Sequence, residues 1–366
     1  MQIEMDGRVA ERVTFNGREV DYFAGCGYLG LQSHPQVIQA AQQALQRYGL
    51  STATSRGGYG EHPLYHQLEQ EASQFFGAQK VLYFASGYMG MSILTQTGGT
   101  ARDHIFIDSQ AHYCLWDAAH ATNKSITPFR HLSPQHLQDC LRHDLQPGER
   151  PIVLSDGVFP VSGEIAPLPD YLTLALPLNG LLYIDDAHSV GVLGENGRGT
   201  AEHFHIMEEA CRTSATLSKA LGGWGGILWG DGKWIDHTDR NSRILVGASP
   251  PPLVMTAASA CALAIARTRP DLRQRLRQNV CQARDGLRML GWQVEDSPVP
   301  IICLRQRTGI DLRRIQRELF KQDVAIEFVH SYSSTPAGGA LRIAIFASHS
   351  PEQIERLLKG IQNLCT

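Results

Sequence analysis

The chain has no apolar run long enough to cross a membrane. A spanning helix needs ~18 or more predominantly apolar residues. The most apolar stretch, about Leu253–Ala266, is shorter, rich in small residues and preceded by three prolines, so it reads as a buried helix. Cysteine pairs are also missing. The eight cysteines (26, 114, 140, 211, 261, 281, 303 and 365) are scattered, with no C-x-x-C, which excludes a disulfide framework or a zinc ribbon and fits a reducing compartment. Fifteen histidines include no H-E-x-x-H, and no metal is expected. Charge of one sign is not in excess: the formal net charge is −3, which gives no basis for a nucleic-acid surface or a polybasic membrane contact. Repeats and low-complexity tracts are absent. Met1–Gly7 carries two acids and no apolar segment, so no signal peptide is expected. These absences together predict a soluble cytoplasmic protein.

What is present is a chain of 366 residues, 43% hydrophobic and 19% charged, enough for a large core and about two domains. Short β-branched and aromatic runs stand at Val81–Ala85, His104–Ile107, Pro151–Leu154, Leu181–Ile184 and Gly226–Trp229, each bounded by Gly, Asp, Ser or Pro. Helical patterns lie between several of them. Ser33 can cap a helix whose first turn holds Pro35 and which closes at Gly49. Others run over about Pro63–Phe76, with Gly77 as stop, and Pro134–Leu145. Strands alternating with helices predict an α/β fold with a mostly parallel sheet. The sharpest break is the segment 247–252, Gly-Ala-Ser-Pro-Pro-Pro. Beyond it come one long basic helical stretch, about Leu253–Leu290, strands near Val299–Leu304 and Leu341–Phe346, and a final helix over about Pro351–Leu364. We therefore divide the chain into an N-terminal segment, 1–30, a large α/β domain, 31–250, and a smaller α+β domain, 251–366.

The run Leu181-Leu-Tyr-Ile-Asp185-Asp186-Ala-His188 is a buried-strand pattern ending in an acid, with a histidine three residues on. About thirty residues later, Thr216-Leu-Ser-Lys219 leads into a Gly-rich turn. In open α/β sheets ligands bind beyond the carboxyl ends of strands, which would bring Asp185, His188 and Lys219 to one place. An acid, a histidine and a lysine there suit pyridoxal phosphate, which needs a lysine for its Schiff base and a carboxylate against its pyridinium nitrogen. Ser86-Gly87-Tyr88, between a strand and a helical run, suits its phosphate. The bland readings are a loop lysine and an ordinary turn. Asp185-Asp186 is no metal pair, because adjacent residues on a strand face opposite ways. Gly194-Glu-Asn-Gly197-Arg-Gly199 lacks a dinucleotide-binding context, and Arg273, Arg275 and Arg277 read as a solvated helix face.

Taken together, these pieces resemble the α-oxoamine synthases, a group of fold-type I pyridoxal-phosphate enzymes. The matching segments keep the family's order: Tyr28-Leu-Gly-Leu31, His34-Pro35, Ser55-Arg56, Gly60, His66, Leu68-Glu69, Ser86-Gly87-Tyr88, His112, Asp185-Asp186-Ala-His188, Gly194-x-x-Gly197-Arg-Gly199, Thr216-x-x-Lys219, Gly225-Gly226 and Leu341-Arg342. The resemblance implies a mostly parallel seven-stranded sheet with helices on both faces, a smaller C-terminal α+β domain and a homodimer. It implies that Lys219 carries the cofactor and moves the α-proton, that Asp185 pairs with the pyridinium nitrogen, that His188 bonds the phenolic oxygen and that His112 stacks on the ring. Ser86, Gly87, Tyr88 and Thr216 would hold the phosphate, with Ser249 contributing from a partner subunit. Arg342 would bind the amino-acid carboxylate. The implied reaction joins a small amino acid to an acyl thioester, from coenzyme A or an acyl-carrier protein, with loss of carbon dioxide, as in 8-amino-7-oxononanoate synthase.

Four departures from the family pattern bear on the acyl donor rather than the cofactor. Cys26 stands where an asparagine helps hold the substrate carboxylate. Asp156 replaces a glutamate beside the cofactor, and Pro160 a serine that contacts the phenolic oxygen. The chain starts about twenty residues late, and Leu50-Ser-Thr-Ala-Thr54 replaces a Gly-rich stretch. The alternatives are a pyridoxal-phosphate aminotransferase, racemase or decarboxylase with no thioester step, and a non-catalytic binding protein that keeps the fold.

Overall fold

The computed structural model describes residues 4–100 and 103–365. Near the N-terminus β1 (Met5–Asp6), β2 (Arg12–Phe15) and β3 (Arg18–Tyr22) form an antiparallel ladder. Its tight turn is Asn16-Gly17, both at positive φ, the pair that a two-residue hairpin with native twist requires.

The central sheet has seven strands: β4 (Lys80–Phe84), β5 (Asp103–Asp108), β6 (Ile126–Phe129), β7 (Arg150–Asp156), β8 (Leu181–Asp185), β9 (Cys211–Thr216) and β10 (Gly226–Gly230). Their spatial order is β4-β10-β9-β8-β7-β5-β6. All run in one direction except β10, which is antiparallel to both of its neighbours. The expected parallel architecture is therefore present, with one reversal. Successive side chains alternate between the two faces. Leu82, Phe84, Ile105, Ile107, Ile152 and Leu154 pack with residues of the helices Gly90–Thr97, Tyr113–His120 and Gly232–Asn241. Phe106, Val153, Leu182 and Ile184 pack with the helices Pro134–Asp144 and Leu168–Ala175, and Val81, Tyr83, Ala215 and Ile227 with Pro63–Phe76 and Leu253–Thr268. Each such side chain removed from water contributes about 1.5–3 kcal/mol, so both faces are strongly held.

Within the central sheet, two strands escaped the sequence patterns for different reasons. β6 contains Pro128, which is tolerated because β6 is the edge of the sheet. β9 reads Cys-Arg-Thr-Ser-Ala-Thr, too polar to look buried, yet Thr213, Ser214, Ala215 and Thr216 are all buried.

After the proline run, the single long helix expected over about Leu253–Leu290 is two helices, Leu253–Thr268 and Pro270–Met289. Pro270 lacks an N–H and pushes Arg269 out of helical geometry, to φ −120° and ψ 71°. Arg273 is not on a solvated face either: it is buried and donates to Ala266 O at 2.7 Å. Nor does Ser33 cap the helix Pro35–Tyr48. His34 does, its Nδ1 accepting from Gln36 N–H, while Ser33 Oγ donates to Val9 O. A three-stranded antiparallel sheet closes the C-terminal part. It contains β11 (Ile301–Arg305), β13 (Glu327–Val329) and β14 (Ala340–Ala344), in the order β11-β14-β13. The short β12 (Val324–Ala325) pairs in parallel with β3, so residues before 30 are stitched to the C-terminal part, where Asp21 also accepts from Gln353 and Arg356. Among the described residues no helix is long and apolar enough to cross a membrane.

One glycine decides how the Lys219 loop docks. Gly222 sits at φ +61°, and a Cβ there would lie 2.1 Å from Gln32 N. Gly222→Ala is expected to destabilise the fold by about 2–4 kcal/mol, from left-handed strain plus overpacking. A shift of the urea midpoint at constant slope would show it, and an unchanged midpoint would disprove the close approach.

Candidate active site

The cleft lies where parallel strands end, as the sequence argument required. Asp156 and Asp185 are the last residues of β7 and β8 and are register partners across them. Thr216 ends β9, and Ser86 and His112 follow β4 and β5. The cleft measures about 740 Å³, and Ser86, Gly87, Tyr88, His112, Asp156, Asp185, His188, Thr216, Lys219, Cys26 and Arg342 all line it. Only Ser249 among the expected residues does not. It is exposed and lines a different cleft with Ser55 and Arg56, in an extended segment pinned by Tyr65, whose hydroxyl donates to Pro251 O at 2.8 Å.

Lys219 sits in the loop joining antiparallel β9 and β10. That loop is tied by Leu217 N–H to Gly225 O (2.9 Å), Gly223 N–H to Leu217 O (2.8 Å) and Gly222 N–H to Lys219 O (2.9 Å). The Lys219 amine has no hydrogen-bond or ion-pair partner among the described residues. The turn Gly87–Met89 leads into the helix Gly90–Thr97, and Ser86 Oγ accepts from Tyr88 N–H at 3.3 Å. A Cβ on Gly87 would lie 2.6 Å from Thr216 Cβ, so only glycine lets this turn close against β9. Thr216 Oγ1 lies 2.8 Å from Ser218 Oγ and accepts from Ser218 N–H. Tyr88 points its hydroxyl at Asp117, which raises its pKa to about 12.

Asp185 is buried and fixed through both oxygens. Oδ1 accepts from Ala187 N–H at 2.9 Å and Oδ2 from the Cys114 thiol at 3.2 Å. Burial and the neighbouring Asp185 charge push the Cys114 thiol far up, so it stays protonated and donates. Asp156 is raised well above the usual carboxylate range by burial and by Asp185, and Oδ2 accepts from His112 N–H at 2.8 Å. His112 is half-buried and lines the cleft. Its Nδ1 accepts from Cys114 N–H, which leaves Nε2–H to donate to Tyr332 at 2.7 Å. Burial lowers its pKa, which favours that neutral form. Asp186 faces away from the cleft, as the alternation of a strand requires, and is consumed by Ser189 and Thr200.

His188 is buried, and burial, then Lys219 and Arg342, hold its pKa well below the ordinary value. Tyr28 Oη accepts from Arg342 Nη2 at 3.4 Å, so its proton goes to His188 Nδ1 at 2.8 Å. The neutral imidazole then carries its proton on Nε2. Arg342 is in the middle strand of its sheet and 4% exposed, so it is a buried charge of the cleft rather than a surface one. Nε donates to Pro160 O (2.7 Å), Nη1 to Gly25 O (3.0 Å), and Nη2 reaches Cys26 Sγ (3.5 Å). Glu327, its cross-strand neighbour, lies 3.6 Å from Nη1. Burial opposes the charge, but Tyr28, Cys26 and Glu327 raise the pKa above its usual value.

Sequence reasoning missed Cys114, Ser218, Glu327 and Tyr332, and gave Tyr28 no role. Tyr28 was visible within Tyr28-Leu-Gly-Leu31, and Cys114 two residues beyond His112. Glu327 and Tyr332 carry no pattern; β13 and the loop after it bring them to the cleft only in three dimensions.

The segment behind Pro160 is anchored by His131, whose Nδ1 bonds Asp108 (2.9 Å) and Nε2 Glu164 (3.4 Å). Burial would lower His131, but the two carboxylates raise it to about 9, and the same contact holds Glu164 near about 2. A raised histidine stabilises the fold fully below its unfolded pKa of about 6.5, and the effect fades as pH rises through about 9. His131→Gln should therefore cost on the order of 3 kcal/mol at pH 6, with the gap to wild type closing above pH 9. Denaturant unfolding at both pH values measures this, and a gap independent of pH would rule out a charged His131.

Comparison with known proteins gives one consistent picture. The family model described as aminotransferase class I and II matches residues 26–361. The 8-amino-7-oxononanoate synthase of Thioalkalivibrio sulfidiphilus is 32% identical over 358 residues, covering 98% of this chain and 91% of that protein. The chain belongs to the α-oxoamine synthase group of the class I and II aminotransferase family. The serine palmitoyltransferase structure from Sphingomonas wittichii superposes with a TM-score of 0.91 at 26% identity, covering 99% of this chain and 91% of that one. The 8-amino-7-oxononanoate synthase structure from Francisella tularensis gives 0.79 at 24% identity, covering 94% and 97%, and so supports the fold. The positions read as departures from the family pattern, Cys26, Asp156 and Pro160, all line one cleft.

Proposed function

We propose that the protein is a pyridoxal-phosphate-dependent enzyme that joins a small amino acid to an acyl thioester with loss of carbon dioxide, as an 8-amino-7-oxononanoate synthase does. The observation that carries this reading is the Lys219 amine, unpartnered among the described residues, on the same cleft as a fixed Asp185 and a buried, carbonyl-anchored Arg342. The residues fit the cofactor. Ser86, Gly87 and Tyr88 form a donor-rich turn that only glycine lets close against Thr216. Asp185 supplies the carboxylate for a pyridinium nitrogen, and neutral His188 offers Nε2–H to a phenolic oxygen.

When bound, pyridoxal phosphate supplies the electron sink that lets an amino acid lose its α-proton. The protein's residues do the rest. Lys219 holds the cofactor, then takes and returns the α-proton with its amine. Arg342 binds the amino-acid carboxylate; because its N–H groups already have partners, the acid displaces the weakest of these, the Cys26 thiol and Glu327. A guanidinium suits that two-point contact better than an ammonium. His112 forms one side of the cleft, oriented by Tyr332 and by the hydrogen bond from its backbone N–H to Asp156, where it would pack against the cofactor ring. The protein works as a homodimer, in which Ser249 reaches the phosphate of the partner's site.

Thiol release from cofactor-loaded protein tests this. Alanine, glycine and serine would be crossed with acyl-CoA and acyl-carrier-protein donors of several chain lengths. Release that requires both an amino acid and a thioester is expected. Spectral change with amino acids but no thiol release would replace this reading with transamination, racemisation or decarboxylation.

A further inference from the structure

Between Arg305 and Lys321 stand six basic residues and two acidic ones, in a chain whose net charge is −3. Four of the six lie on the helix Leu312–Lys321, which buries Leu312, Ile315 and Leu319 and exposes Arg313, Arg314, Arg317 and Lys321. Arg313, Arg317 and Lys321 recur at every fourth residue, so they form one stripe, about 12 Å from first to last. Like charges at this spacing repel and weaken a helix that has nothing opposite them. The neighbouring acids are committed elsewhere. Asp311 caps the helix, accepting from Arg314 N–H at 3.0 Å, Glu318 accepts from Lys321 at 2.8 Å, and Asp323 accepts from Arg18. Glu327 faces Arg342. Arg314 and Arg317 feel the charge of Glu318, but their side chains make no hydrogen bond or ion pair among the described residues.

The stripe borders the catalytic cleft. Arg313 lies over the Phe328 ring, 4.8 Å from its centroid, and its Nη2 is 3.3 Å from His330 Nδ1. Phe328 and His330 both line the catalytic cleft. Arg313 and Arg317 also line a second cleft, of about 670 Å³, with Met5, Phe15, Tyr22 and Phe320. That cleft shares Gly25, Glu327 and Phe328 with the catalytic one. Exposed cations therefore stand beside the place where an acyl donor must arrive. An acyl thioester travels on coenzyme A or on a carrier protein. Coenzyme A brings only its own few phosphates. A carrier protein is a folded, acidic partner with its thioester at the end of a long phosphopantetheine arm, so it needs a basic surface next to the cleft rather than inside it. Arg313, Arg314 and Arg317, arrayed along one helix and paired with no carboxylate, meet that requirement.

We propose, on the basis of the acyl-transfer reading, that the acyl donor is an acidic acyl-carrier protein docked on the exposed face of the helix Leu312–Lys321. Its acids engage Arg313, Arg314 and Arg317, and its arm passes Phe328 and His330 into the catalytic cleft.

The test uses cofactor-loaded enzyme and a fluorescently labelled, phosphopantetheine-bearing acyl-carrier protein of bacterial fatty-acid synthesis. Anisotropy should show saturable binding that weakens as salt rises. Arg314→Ala with Arg317→Ala should weaken it by about tenfold or more. Both side chains are exposed and unpaired among the described residues, so the urea midpoint should stay at the wild-type value. Arg240→Ala with Arg275→Ala, exposed cations on other helices, should leave binding unchanged. In thiol release with one acyl chain on either donor, the Arg314 and Arg317 variant should lose about tenfold in kcat/KM for the carrier-protein donor and keep its value for the coenzyme A donor. Absence of saturable binding would overturn the proposal, as would binding unchanged in that variant, an equal loss in the Arg240 and Arg275 variant, or an equal loss with both donors. Thiol release from acyl-CoA without carrier binding would overturn the docking face alone. Binding lost in the Arg314 and Arg317 variant, with no thiol release from either donor, would support the face and overturn the acyl-transfer reading.

Discussion

Lys219→Ala protein is expected to lose the visible absorbance of the covalent lysine adduct and at least about 10⁴-fold in turnover, because one side chain both carries the cofactor and moves the proton. The variant should still retain cofactor, since Ser86, Thr216, Asp185 and His188 are untouched. Borohydride treatment followed by mass measurement separates the two functions. Wild type should gain the mass of a reduced adduct, and the variant should gain none. A variant that keeps both the adduct and the turnover would remove Lys219 from the mechanism.

Arg342→Met should give the second largest effect, on substrate binding rather than chemistry. Loss of a charge-assisted, two-point contact with a carboxylate is expected to raise the amino-acid KM by about 10²-fold while changing kcat far less. The fold should suffer too, by about 3 kcal/mol, because Pro160 O and Gly25 O lose their donor and Glu327 its cation. Arg342→Lys separates the two consequences. An ammonium can restore charge but not the fork, so stability should recover more than KM. A KM unchanged in the methionine variant would show that Arg342 only braces the cleft wall.

The parts of this molecule that could be read in advance share one property: their information is local. Val81–Ala85 and Leu181–Ile184 are apolar runs between turn residues, and they are strands. Gly49 and Gly77 stop their helices where expected. Asp185, His188 and Lys219 could be placed together because a parallel sheet sends strand ends to one edge. Where the information is tertiary, sequence reasoning failed. Cys211–Thr216 is buried by neighbouring strands despite its polarity. The stretch after Leu253 looks like one helix until Pro270 is weighed. Arg273 looks solvated until its acceptor, Ala266 O, is seen. Cys114 and Tyr332 are 218 residues apart, yet they orient the same imidazole, and no spacing rule links them.

The one reversed strand has a mechanical consequence. A helical crossover, like those between the parallel strands, would let the lysine loop breathe. Because β10 returns antiparallel beside β9, the loop is cross-braced at its base, and the Lys219 α-carbon becomes a fixed pivot. The amine can then reposition only by swinging through its own side-chain torsions. Any motion that shuts the cleft around substrate must come from the opposing wall, the strand and loop from Glu327 to Tyr332.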